Sequence, residues 1–337
     1  MKKLKIVQIG IGHDHAPAAF RSMQKQTDIF ELVGWAPVGD EADRPIMDVY
    51  KSAPRLSPEE ALNIPGLDAV CIETDDWNLT EWALKAVERD LPVEMDKPGT
   101  PDHGEFEQLC REAHRRNVPL QVGYMYRHNP FIRQLINDVC AGELGTLHAV
   151  EAHMDCIHTP EKRQWLDHFP GGMLYYLGCY LIDLVVQLQG VPQEIIPMSV
   201  CSKLDGVTSL DIGMAAMRYE NGLSFVKTSA NEMGGFLRRQ LVVCGTKKTV
   251  ELRPLEEDCV GGLQLTRRRI CSPPGWNDGV YDASEAFDRY DGMFAFFAKM
   301  ARGVAVNPYT LAYEEQLHRI ILAACGVEID YKKEFIL

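Results

Sequence analysis

The sequence lacks the motifs that mark several classes of protein. Its ten cysteines include no CxxC pair, so neither a paired-cysteine zinc motif nor a thioredoxin-like redox motif is present. Cysteines such as Cys71 and Cys244 stand inside apolar runs, where a small, buried thiol is expected. Because free thiols persist in reducing compartments, the sequence predicts a cytoplasmic protein.

Basic clusters and long apolar runs are also scarce. The chain has 35 Lys and Arg against 48 Asp and Glu, a formal net charge of -13. The short run Arg267 to Arg269 is expected on a solvated strand face, so we expect neither a nucleic-acid partner nor a membrane partner. The apolar stretch Met173 to Leu188 is interrupted by Asp183 and Gln187 and is too short to span a bilayer. A chain of 337 residues with 46% apolar residues suits two globular domains.

The first informative stretch reads as strand, glycine turn and helix. Lys5 to Ile9 is apolar and is followed by Gly10-Ile11-Gly12 and then by a segment that favours a helix. In a dinucleotide-binding turn, the first glycine permits the tight bend and the second lets backbone N–H groups approach a pyrophosphate. His15 replaces the third glycine of that motif. His13 and His15 can each approach a phosphate, but both are expected at the surface, and glycines of an ordinary loop remain the alternative.

The second strand candidate leaves the cofactor subtype open. Phe30 to Trp35 is followed by Ala36 to Val38, where an acid that binds the ribose of NAD is expected. Asp40 and Glu41 come a few residues later, and Arg44, a candidate for the 2′-phosphate of NADP, follows them. The sequence therefore predicts NAD or NADP without choosing between them.

Further strand patterns alternate with helix patterns up to residue 123, which predicts a doubly wound parallel sheet. One strand ends at Lys97, because Pro98 removes a backbone donor and directs the chain out of the strand. Ligands of open α/β sheets bind outside the carboxyl ends of the strands, so Lys97 is expected in the ligand crevice rather than on the surface. Thr74 and Asp75 end another strand in the same crevice, although a helix cap is an equal alternative.

The pattern changes near residue 147, where apolar and polar residues alternate as in a half-buried strand. Two strand patterns flank Asn221-Gly222, a hairpin turn signal, and further strands are predicted up to Ile270. A long apolar helix is predicted from Gly172 to Gln189. The sequence thus predicts an α/β protein with a Rossmann domain over residues 1–123 and an α+β domain over 124–337 whose strands are mostly antiparallel.

Three motifs in this order resemble the Gfo/Idh/MocA oxidoreductase family, named for glucose-fructose oxidoreductase and inositol dehydrogenase. They are Gly10-Ile11-Gly12, Asp96-Lys97-Pro98, and Gly171-Gly172 before a helix that leads to Asp183. The resemblance implies an amino-terminal domain for NAD or NADP. It also implies a carboxyl-terminal domain with a large open sheet, which often builds a homodimer or homotetramer.

The resemblance also implies roles for single residues. Lys97 matches the family's catalytic lysine, and Asp96 replaces the usual glutamate before it. Tyr176 and Tyr180 stand where the family usually carries Asp and, four residues on, His. Tyr180 remains a candidate acid/base because glucose-fructose oxidoreductase and dihydrodiol dehydrogenase resemble it there, whereas both tyrosines as packing groups are the alternative. The candidate cofactor-binding residues are Gly10, Ile11, Gly12, His13, Thr74, Asp75, Asp96 and Lys97.

Other polar residues are harder to place. Glu94 lies inside a predicted buried strand and therefore needs a partner or a raised pKa. The set His153, Asp155, His158 and His168 invites a metal site, but its spacing alone does not bring the ligands together, so no metal is expected. The candidate substrate-binding residues are Arg127, His153, Arg163 and Trp165.

These patterns predict an NAD(P)-dependent oxidoreductase. It would transfer a hydride between nicotinamide and a secondary alcohol or carbonyl of a sugar, cyclitol or related polyol. Lys97 would polarise the substrate oxygen, and Tyr180 would exchange its proton. The alternative is a catalytically weak or inactive dinucleotide-binding sensor or scaffold of the same fold.

Overall fold

The structure, a computed structural model, describes residues 2–273, 275–276 and 281–337. The strands are β1 (Leu4–Ile9), β2 (Phe30–Ala36), β3 (Ala69–Ile72), β4 (Val93–Met95), β5 (Leu120–Val122), β6 (Leu147–His153), β7 (Glu194–Pro197), β8 (Ile212–Tyr219), β9 (Gly222–Ser229), β10 (Gln240–Gly245), β11 (Thr249–Leu252), β12 (Glu257–Asp258), β13 (Gln264–Leu265), β14 (Arg267–Ser272), β15 (Gly275–Trp276) and β16 (Asp282–Ala283). The α-helices are α1 (Ala16–Lys25), α2 (Pro58–Leu62), α3 (Leu79–Val87), α4 (His103–Arg116), α5 (Pro130–Cys140), α6 (Pro160–Trp165), α7 (Cys179–Gln189), α8 (Asp291–Ala301) and α9 (Leu311–Ala324).

The chain forms two compact units. Unit 1 contains Met1–Met125, Tyr290–His318 and Glu334–Leu337, and unit 2 contains Tyr126–Arg289 and Arg319–Lys333. The first break lies two residues from the one that the sequence predicts. The remainder differs from the prediction, because two later segments of the chain belong to unit 1 instead of the second domain.

Unit 1 is built on a parallel sheet with strand order β2-β1-β3-β4-β5. The predicted doubly wound parallel sheet is therefore confirmed. Ile9 at the end of β1 pairs with Ile72 at the end of β3, and Ile72 pairs with Met95 at the end of β4. The glycine turn, Thr74 and Lys97 consequently follow neighbouring strands at one edge of the sheet.

Unit 2 is built on a larger sheet in which β6 pairs with β9 in parallel and the other strand pairs are antiparallel. This confirms the predicted, mostly antiparallel sheet. Ala152, Val226 and Leu241 come from three adjacent strands and are fully buried. Within the described residues, no helix is both long and apolar enough to cross a membrane.

The apolar helix of unit 2 begins later than predicted. Gly172 lies outside the helix because its φ of +53 is left-handed, and a Cβ there would come within 2.1 Å of the Leu210 carbonyl oxygen. A π-helical turn at Leu174–Gly178 follows and leads into α7. Tyr176 lies in this π-turn and Tyr180 in the first turn of α7. Such π-turns occur frequently at functional sites.

The predicted hairpin turn was wrong by one residue. Tyr219 pairs with Gly222, so the two turn residues are Glu220 and Asn221. Gly222 belongs to β9, where a Cβ would lie 1.9 Å from the carbonyl oxygen of His148. The glycine is thus explained by close packing of two backbones and not by a left-handed turn.

We expect Gly10→Ala to lower the free energy of unfolding more than Gly39→Ala. Gly10 has φ +93 and its added Cβ would lie 2.2 Å from the Thr74 nitrogen, whereas Gly39 has φ +56 and open space around it. Backbone strain costs about 1–2 kcal/mol at either site, and overpacking adds about 1–3 kcal/mol at Gly10 alone. Urea unfolding of both variants measures the difference, and equal losses would contradict the geometry of the turn.

Candidate active site

Charged side chains are buried at the carboxyl ends of β1, β3 and β4. The exposed fraction is 2% for His13, 1% for Glu73 and 2% for Asp96. Asp76 and Glu94 are equally buried, and the side chain of His15 is only 16% exposed. The expectation that His13 and His15 lie at the surface was therefore wrong. The carboxylates that surround them come from two other strands and could not be assigned to them from the sequence.

His13 lies at the centre of this cluster. Its Nδ1 atom is 3.1 Å from Asp96 Oδ2 and 3.7 Å from Glu73 Oε2, and its Nε2 atom is 3.5 Å from Asp76 Oδ1. Burial by itself lowers the pKa of His13, but Asp96 and Asp76 outweigh burial and raise this pKa to about 9. The imidazoles of His13 and His15 in turn hold the pKa of Asp96 well below its ordinary value, although burial opposes them.

The two buried glutamates, Glu73 and Glu94, have raised pKa values, in contrast to Asp96. Burial, together with the charge of Asp96, raises the pKa of Glu94 to about 8. Burial and the same neighbour also raise the pKa of Glu73. Cys71 Sγ lies 3.3 Å from Glu94 Oε2. The sequence-based expectation that Glu94 needs a partner or a raised pKa is thus confirmed on both counts.

Lys97 is fully buried directly after β4. Its backbone N–H donates a hydrogen bond of 2.7 Å to Asp96 Oδ1. The pKa of His15 is lowered mainly by burial, against the charge of Asp96, and the Lys97 ammonium contributes to that lowering. A buried ammonium among buried carboxylates is a costly arrangement that charge pairing makes tolerable, and such arrangements cluster at functional sites.

The glycine turn is capped by the carboxylate of Glu41, for which the sequence suggests only binding of a ribose. Glu41 is 1% exposed, and its Oε2 atom accepts hydrogen bonds from the N–H groups of Ile11, at 2.8 Å, and Val38, at 2.9 Å. Its Oε1 atom accepts from the Asp75 N–H at 3.0 Å. A Cβ on Gly12 would lie 2.5 Å from Glu41 Oε1. No periodic pattern in the sequence marks an acid in this position, since it lies in a short 3₁₀ turn.

The remaining cofactor candidates of unit 1 lie beside this turn. Thr74 is fully buried, and its hydroxyl donates to the Asp75 carbonyl oxygen at 3.1 Å. The Asp75 carboxylate accepts two hydrogen bonds from Arg44, at 2.9 and 2.6 Å. The structure therefore brings the glycine turn, the end of β3 and the end of β4 together, as the sequence predicts. Arg44, which the sequence offers as a ligand of NADP, is held by Asp75.

In unit 2, the two candidate tyrosines have different surroundings. The Tyr176 ring packs edge-on against Trp165, with ring centres 5.4 Å apart, and Lys162 Nζ lies 4.8 Å from the Tyr176 ring centre. Tyr180 is 1% exposed and packs edge-on against Tyr126 at 5.5 Å. The structure thus joins Tyr176 to Trp165, a predicted substrate residue.

The other predicted substrate residues of unit 2 lie in separate contacts. Arg127 donates from Nε and Nη2 to Asp183, at 3.0 and 2.9 Å, and both side chains are buried. Arg163, 1% exposed, pairs with Asp211 at 3.2 Å and also with Asp205. His153 is half-buried, and burial lowers the pKa of its imidazole. Both guanidinium groups are therefore engaged by carboxylates of their own unit.

Comparison with protein-family models shows to which family the chain belongs. Residues 4–124 match the oxidoreductase family with an NAD-binding Rossmann fold, and residues 132–251 match the GFO/IDH/MocA C-terminal domain. The chain belongs to the Gfo/Idh/MocA oxidoreductase family. The resemblance drawn from its motifs is confirmed, and unit 1 carries the NAD(P)-binding Rossmann domain.

Several curated relatives share parts of this family's sequence. The chain is 26% identical over 202 residues to the uncharacterized oxidoreductase ORF334 of Rhizobium meliloti, which is 58% of either chain. It is 28% identical over 142 residues to the scyllo-inositol 2-dehydrogenase (NADP(+)) IolW of Bacillus subtilis, covering 41% of this chain and 39% of the relative. These alignments thus span about two fifths to three fifths of the relatives' lengths.

Solved structures show the same fold over the whole chain. KijD10, a 3-ketoreductase from Actinomadura kijaniata in complex with NADP and TDP-benzene, has a TM-score of 0.79 at 16% identity, covering 96% of this chain and 98% of that one. The WlbA dehydrogenase from Bordetella pertussis, in complex with NADH and UDP-GlcNAcA, has a TM-score of 0.76 at 16% identity and covers 98% and 100%. At these identities the likeness shows the family fold.

In this family member we expect Glu41→Gln to lower the free energy of unfolding by about 1–3 kcal/mol, because the amide has one acceptor oxygen for three buried N–H groups. Glu31→Gln, at an exposed position of β2, is the matched control and should change stability by less than about 0.5 kcal/mol. Chemical unfolding near neutral pH measures both variants. Equal stabilities of the two variants would show that the Glu41 cap contributes nothing.

The half-buried His128, next to Arg127, gives a prediction for acid solution. Burial and the charges of Arg127 and Arg133 lower its pKa from 6.5 to about 4. Between these values the unfolded chain binds a proton that the folded chain does not, so stability is lost as pH falls from 6.5 to 4, by at most about 1.4 kcal/mol per pH unit. His128→Gln removes this contribution. The free energy of unfolding of the wild type should therefore fall more steeply between pH 6.5 and 4 than that of His128→Gln. If the two proteins give parallel curves of unfolding free energy against pH, the lowered pKa of His128 is contradicted.

Proposed function

We propose that this protein transfers a hydride between NAD(P) and a secondary alcohol or carbonyl of a sugar, cyclitol or related polyol. The observation that carries the proposal is the fully buried Lys97 at the carboxyl end of β4, beside the glycine turn. A lysine in that place is positioned for a ligand rather than for solvent. The names of relatives that act on inositols support the substrate class.

The residues of unit 1 fit a dinucleotide. Gly10 and Gly12 permit a tight turn in which a Cβ would clash with Thr74 or Glu41, and the first turn of α1 carries no acidic residue that would repel a phosphate. We propose that Gly10, Ile11, Gly12 and His13 hold the pyrophosphate, and that Thr74, Asp75, Asp96 and Lys97 hold the nicotinamide half. Ile11 can donate to a phosphate only after Glu41 releases its N–H.

In the proposed reaction, the bound nicotinamide supplies or accepts the hydride at the carbinol carbon. The Lys97 ammonium donates a hydrogen bond to the substrate oxygen and stabilises negative charge that develops there. The Tyr180 phenol takes the hydroxyl proton during oxidation and returns it during reduction. Tyr176, next to Trp165, orients the substrate or assists this proton transfer.

For substrate binding we propose Trp165 and His153, with Arg127 and Arg163 as supporting residues. The apolar face of Trp165 suits the C–H face of a polyol ring. The bonds of Arg127 to Asp183 and of Arg163 to Asp211 would have to break before either guanidinium could bind a substrate directly. Direct contact between the substrate and these arginines therefore costs more free energy than contact with Trp165 and His153.

We further propose a homodimer or homotetramer that forms through the sheet of unit 2. Apolar side chains on and beside the edge strand β7 and at the start of β9 are exposed, among them Ile196, Met198, Val200 and Leu223. Exposed apolar residues at a sheet edge are suited to a protein interface. The ten cysteines are free thiols, which supports the cytoplasm as the compartment.

We expect Lys97→Met and Tyr180→Phe each to lower kcat/KM by about 10²–10⁴-fold, the usual contribution of a positioned acid/base or charge-stabilising group. Turnover of a polyol panel with NAD and with NADP is measured by absorbance of the reduced nicotinamide. Lys51→Met, on an exposed lysine, and Tyr331→Phe are matched controls and should keep wild-type turnover. Unchanged turnover in both active-site variants would discard these roles.

The second candidate function is a nucleotide-binding sensor or scaffold without catalysis. Tyr176 and Tyr180, which stand where the family usually carries Asp and His, favour it, because the usual acid/base pair is missing. A thermal shift with NAD(H) and NADP(H) separates the two functions. A shift without turnover of any polyol supports the sensor, and no shift with any of the four nucleotides contradicts both.

A further inference from the structure

A second group of metal-ligating side chains lies in unit 1, between the start of α4 and α9. His103 Nε2 is 3.0 Å from Glu315 Oε1 and 3.7 Å from Glu107 Oε2. The nitrogen and one oxygen of each glutamate lie within 4.8 Å of one another as a set. We propose that His103, Glu107 and Glu315 bind one divalent transition-metal ion, with zinc as the best match.

The hydrogen bonds of a neighbouring histidine place a lone pair on His103 Nε2. His318 Nε2 lies 2.9 Å from the carbonyl oxygen of Thr100, so this nitrogen must donate. A neutral His318 then accepts at Nδ1, and its partner there, His103 Nδ1 at 3.1 Å, must donate. The other nitrogen of a neutral His103, Nε2, consequently carries a lone pair. Within the described residues this nitrogen makes no hydrogen bond.

The lone pair of His103 Nε2 faces negative charge. Glu315 is fully buried, and its Oε1 atom lies only 3.0 Å from this nitrogen. A lone pair and a carboxylate oxygen repel each other at that distance, so either a metal ion lies between them or the histidine pair carries an extra proton. Burial raises the pKa of the Cys110 thiol, and three nearby carboxylates, those of Glu314 and of the two proposed ligands, raise it further. The surroundings are therefore negative enough to attract a cation.

The spacing of the three ligand atoms suits such an ion. Zinc sits about 2.0–2.2 Å from nitrogen and oxygen ligands, which places the ligand atoms of a tetrahedron about 3.3–3.5 Å apart. The two measured separations from His103 Nε2, 3.0 and 3.7 Å, lie on either side of that value. His103 and Glu107 are four residues apart in α4 and therefore share a helix face. Glu107 Oε1 accepts from Arg111 Nε and Nη2, at 2.9 and 2.8 Å, which leaves Oε2 for the ion.

The nitrogen of His103 that does not bind the ion is also held in place. Metal-binding histidines usually donate their second ring N–H to a fixed acceptor, and here His103 Nδ1 donates to His318 Nδ1. The His318 ring is in turn fixed by stacking on Phe106, with ring centres 4.3 Å and ring planes 7° apart, and by its bond to Thr100. The imidazole of His103 is thereby oriented with Nε2 toward the two carboxylates.

The donor set restricts which metal can bind. One imidazole and two carboxylates suit zinc, cobalt or manganese, whereas magnesium and calcium prefer oxygen ligands alone. Three protein ligands and a water molecule form a common zinc site, and water can reach this one because the side chains of His103 and Glu107 are 16% and 29% exposed. No sequence pattern joins Glu315, which lies in α9, to the two ligands on α4.

The inference goes beyond the proposed hydride transfer, which requires no metal ion. A bound ion would tie Glu315, in the part of α9 that belongs to unit 1, to the start of α4. The bond of His318 extends this tie to Thr100, which follows Lys97 closely in the chain. The site shares no side chain with the proposed cofactor and substrate residues. Absence of metal would therefore leave the proposed reaction standing, and absence of turnover would leave the metal site standing.

The test uses the full chain, stripped with chelator, incubated with Zn²⁺ or Co²⁺ and then dialysed. We expect one equivalent of either metal per chain by elemental analysis. The cobalt form should show visible absorption bands that the metal-free protein lacks. Binding of Zn²⁺ should also raise the melting temperature, and chelator should reverse that rise. Because a proton competes for the same lone pair, the affinity for Zn²⁺ should be higher at pH 8 than at pH 6.

Variants of the ligands decide where the ion sits. His103→Asn keeps a donor for His318 but removes the Nε2 lone pair, and Glu315→Gln keeps the shape of the side chain without its charge. Both should abolish metal retention. His318→Gln should weaken affinity by about 10–100-fold and change the cobalt spectrum, because His103 loses the acceptor that orients it.

Matched controls come from the same helix. His114→Asn and Glu105→Gln change exposed side chains of α4 and should each retain one equivalent of metal. Circular dichroism shows whether each variant is folded, and Glu107→Gln, at a partly exposed position, replaces either buried variant that unfolds. Wild-type protein that retains no metal, or folded ligand variants that retain a full equivalent, would overturn the site and leave a proton as the occupant.

Discussion

The structure of unit 1 depends on how buried charges compensate one another at the carboxyl ends of β1, β3 and β4. Carboxylates of β4 and of the loops that follow β3 and β4 surround the imidazole of His13, which raises the pKa of His13 and lowers that of Asp96. None of these groups would be stable alone at this depth. The loop that carries the glycine turn is therefore held to the end of β4 by electrostatic attraction as well as by the sheet. This attraction also fixes the backbone from which Lys97 extends.

This negative environment determines how an anionic cofactor can be held. Arg44 is already paired with Asp75, and Glu41 already takes the Ile11 N–H. A pyrophosphate must therefore be stabilised by backbone N–H groups and by the amino terminus of α1, which has no acid in its first turn. Binding then exchanges the Glu41 carboxylate for a phosphate at the Ile11 N–H. Affinity is expected to depend on how far Glu41 moves, and Arg44 becomes available to a phosphate only when Asp75 releases it.

The sequence could predict what local patterns encode. Alternation of strands and helices specified the parallel sheet, and Pro98 after Lys97 marked the end of β4 to within two residues, since the strand ends at Met95. Burial of Glu94 followed from its place in an apolar strand. The burial of His13 and His15 could not be predicted from the sequence. The carboxylates that make this burial tolerable stand at positions 73, 76 and 96, and only the order of the strands in the sheet brings them near the two histidines.

Other structural features have no recognisable pattern in the sequence. The hairpin turn at Glu220 and Asn221 was predicted one residue too late. The glycine that follows it is needed for close packing of two backbones and not for the turn itself. The π-turn before α7 inserts one residue into a helix without changing its apolar character. Glu41 is an acid in a short turn, and its burial depends on three N–H groups from separate parts of the chain.

The two tyrosines proposed for proton transfer, Tyr176 and Tyr180, pose a problem of charge. A free phenol has a pKa of about 10, so it exchanges protons well near neutral pH only beside a positive charge. Within unit 2, Lys162 Nζ lies 4.8 Å from the Tyr176 ring centre, and the Tyr180 ring packs against Tyr126. For the proposed role of Tyr180, Lys97 is the lysine that the family pattern offers. If Lys162 were the effective cation instead, Tyr176 would become the acid/base, and the proton would leave from the side of Trp165.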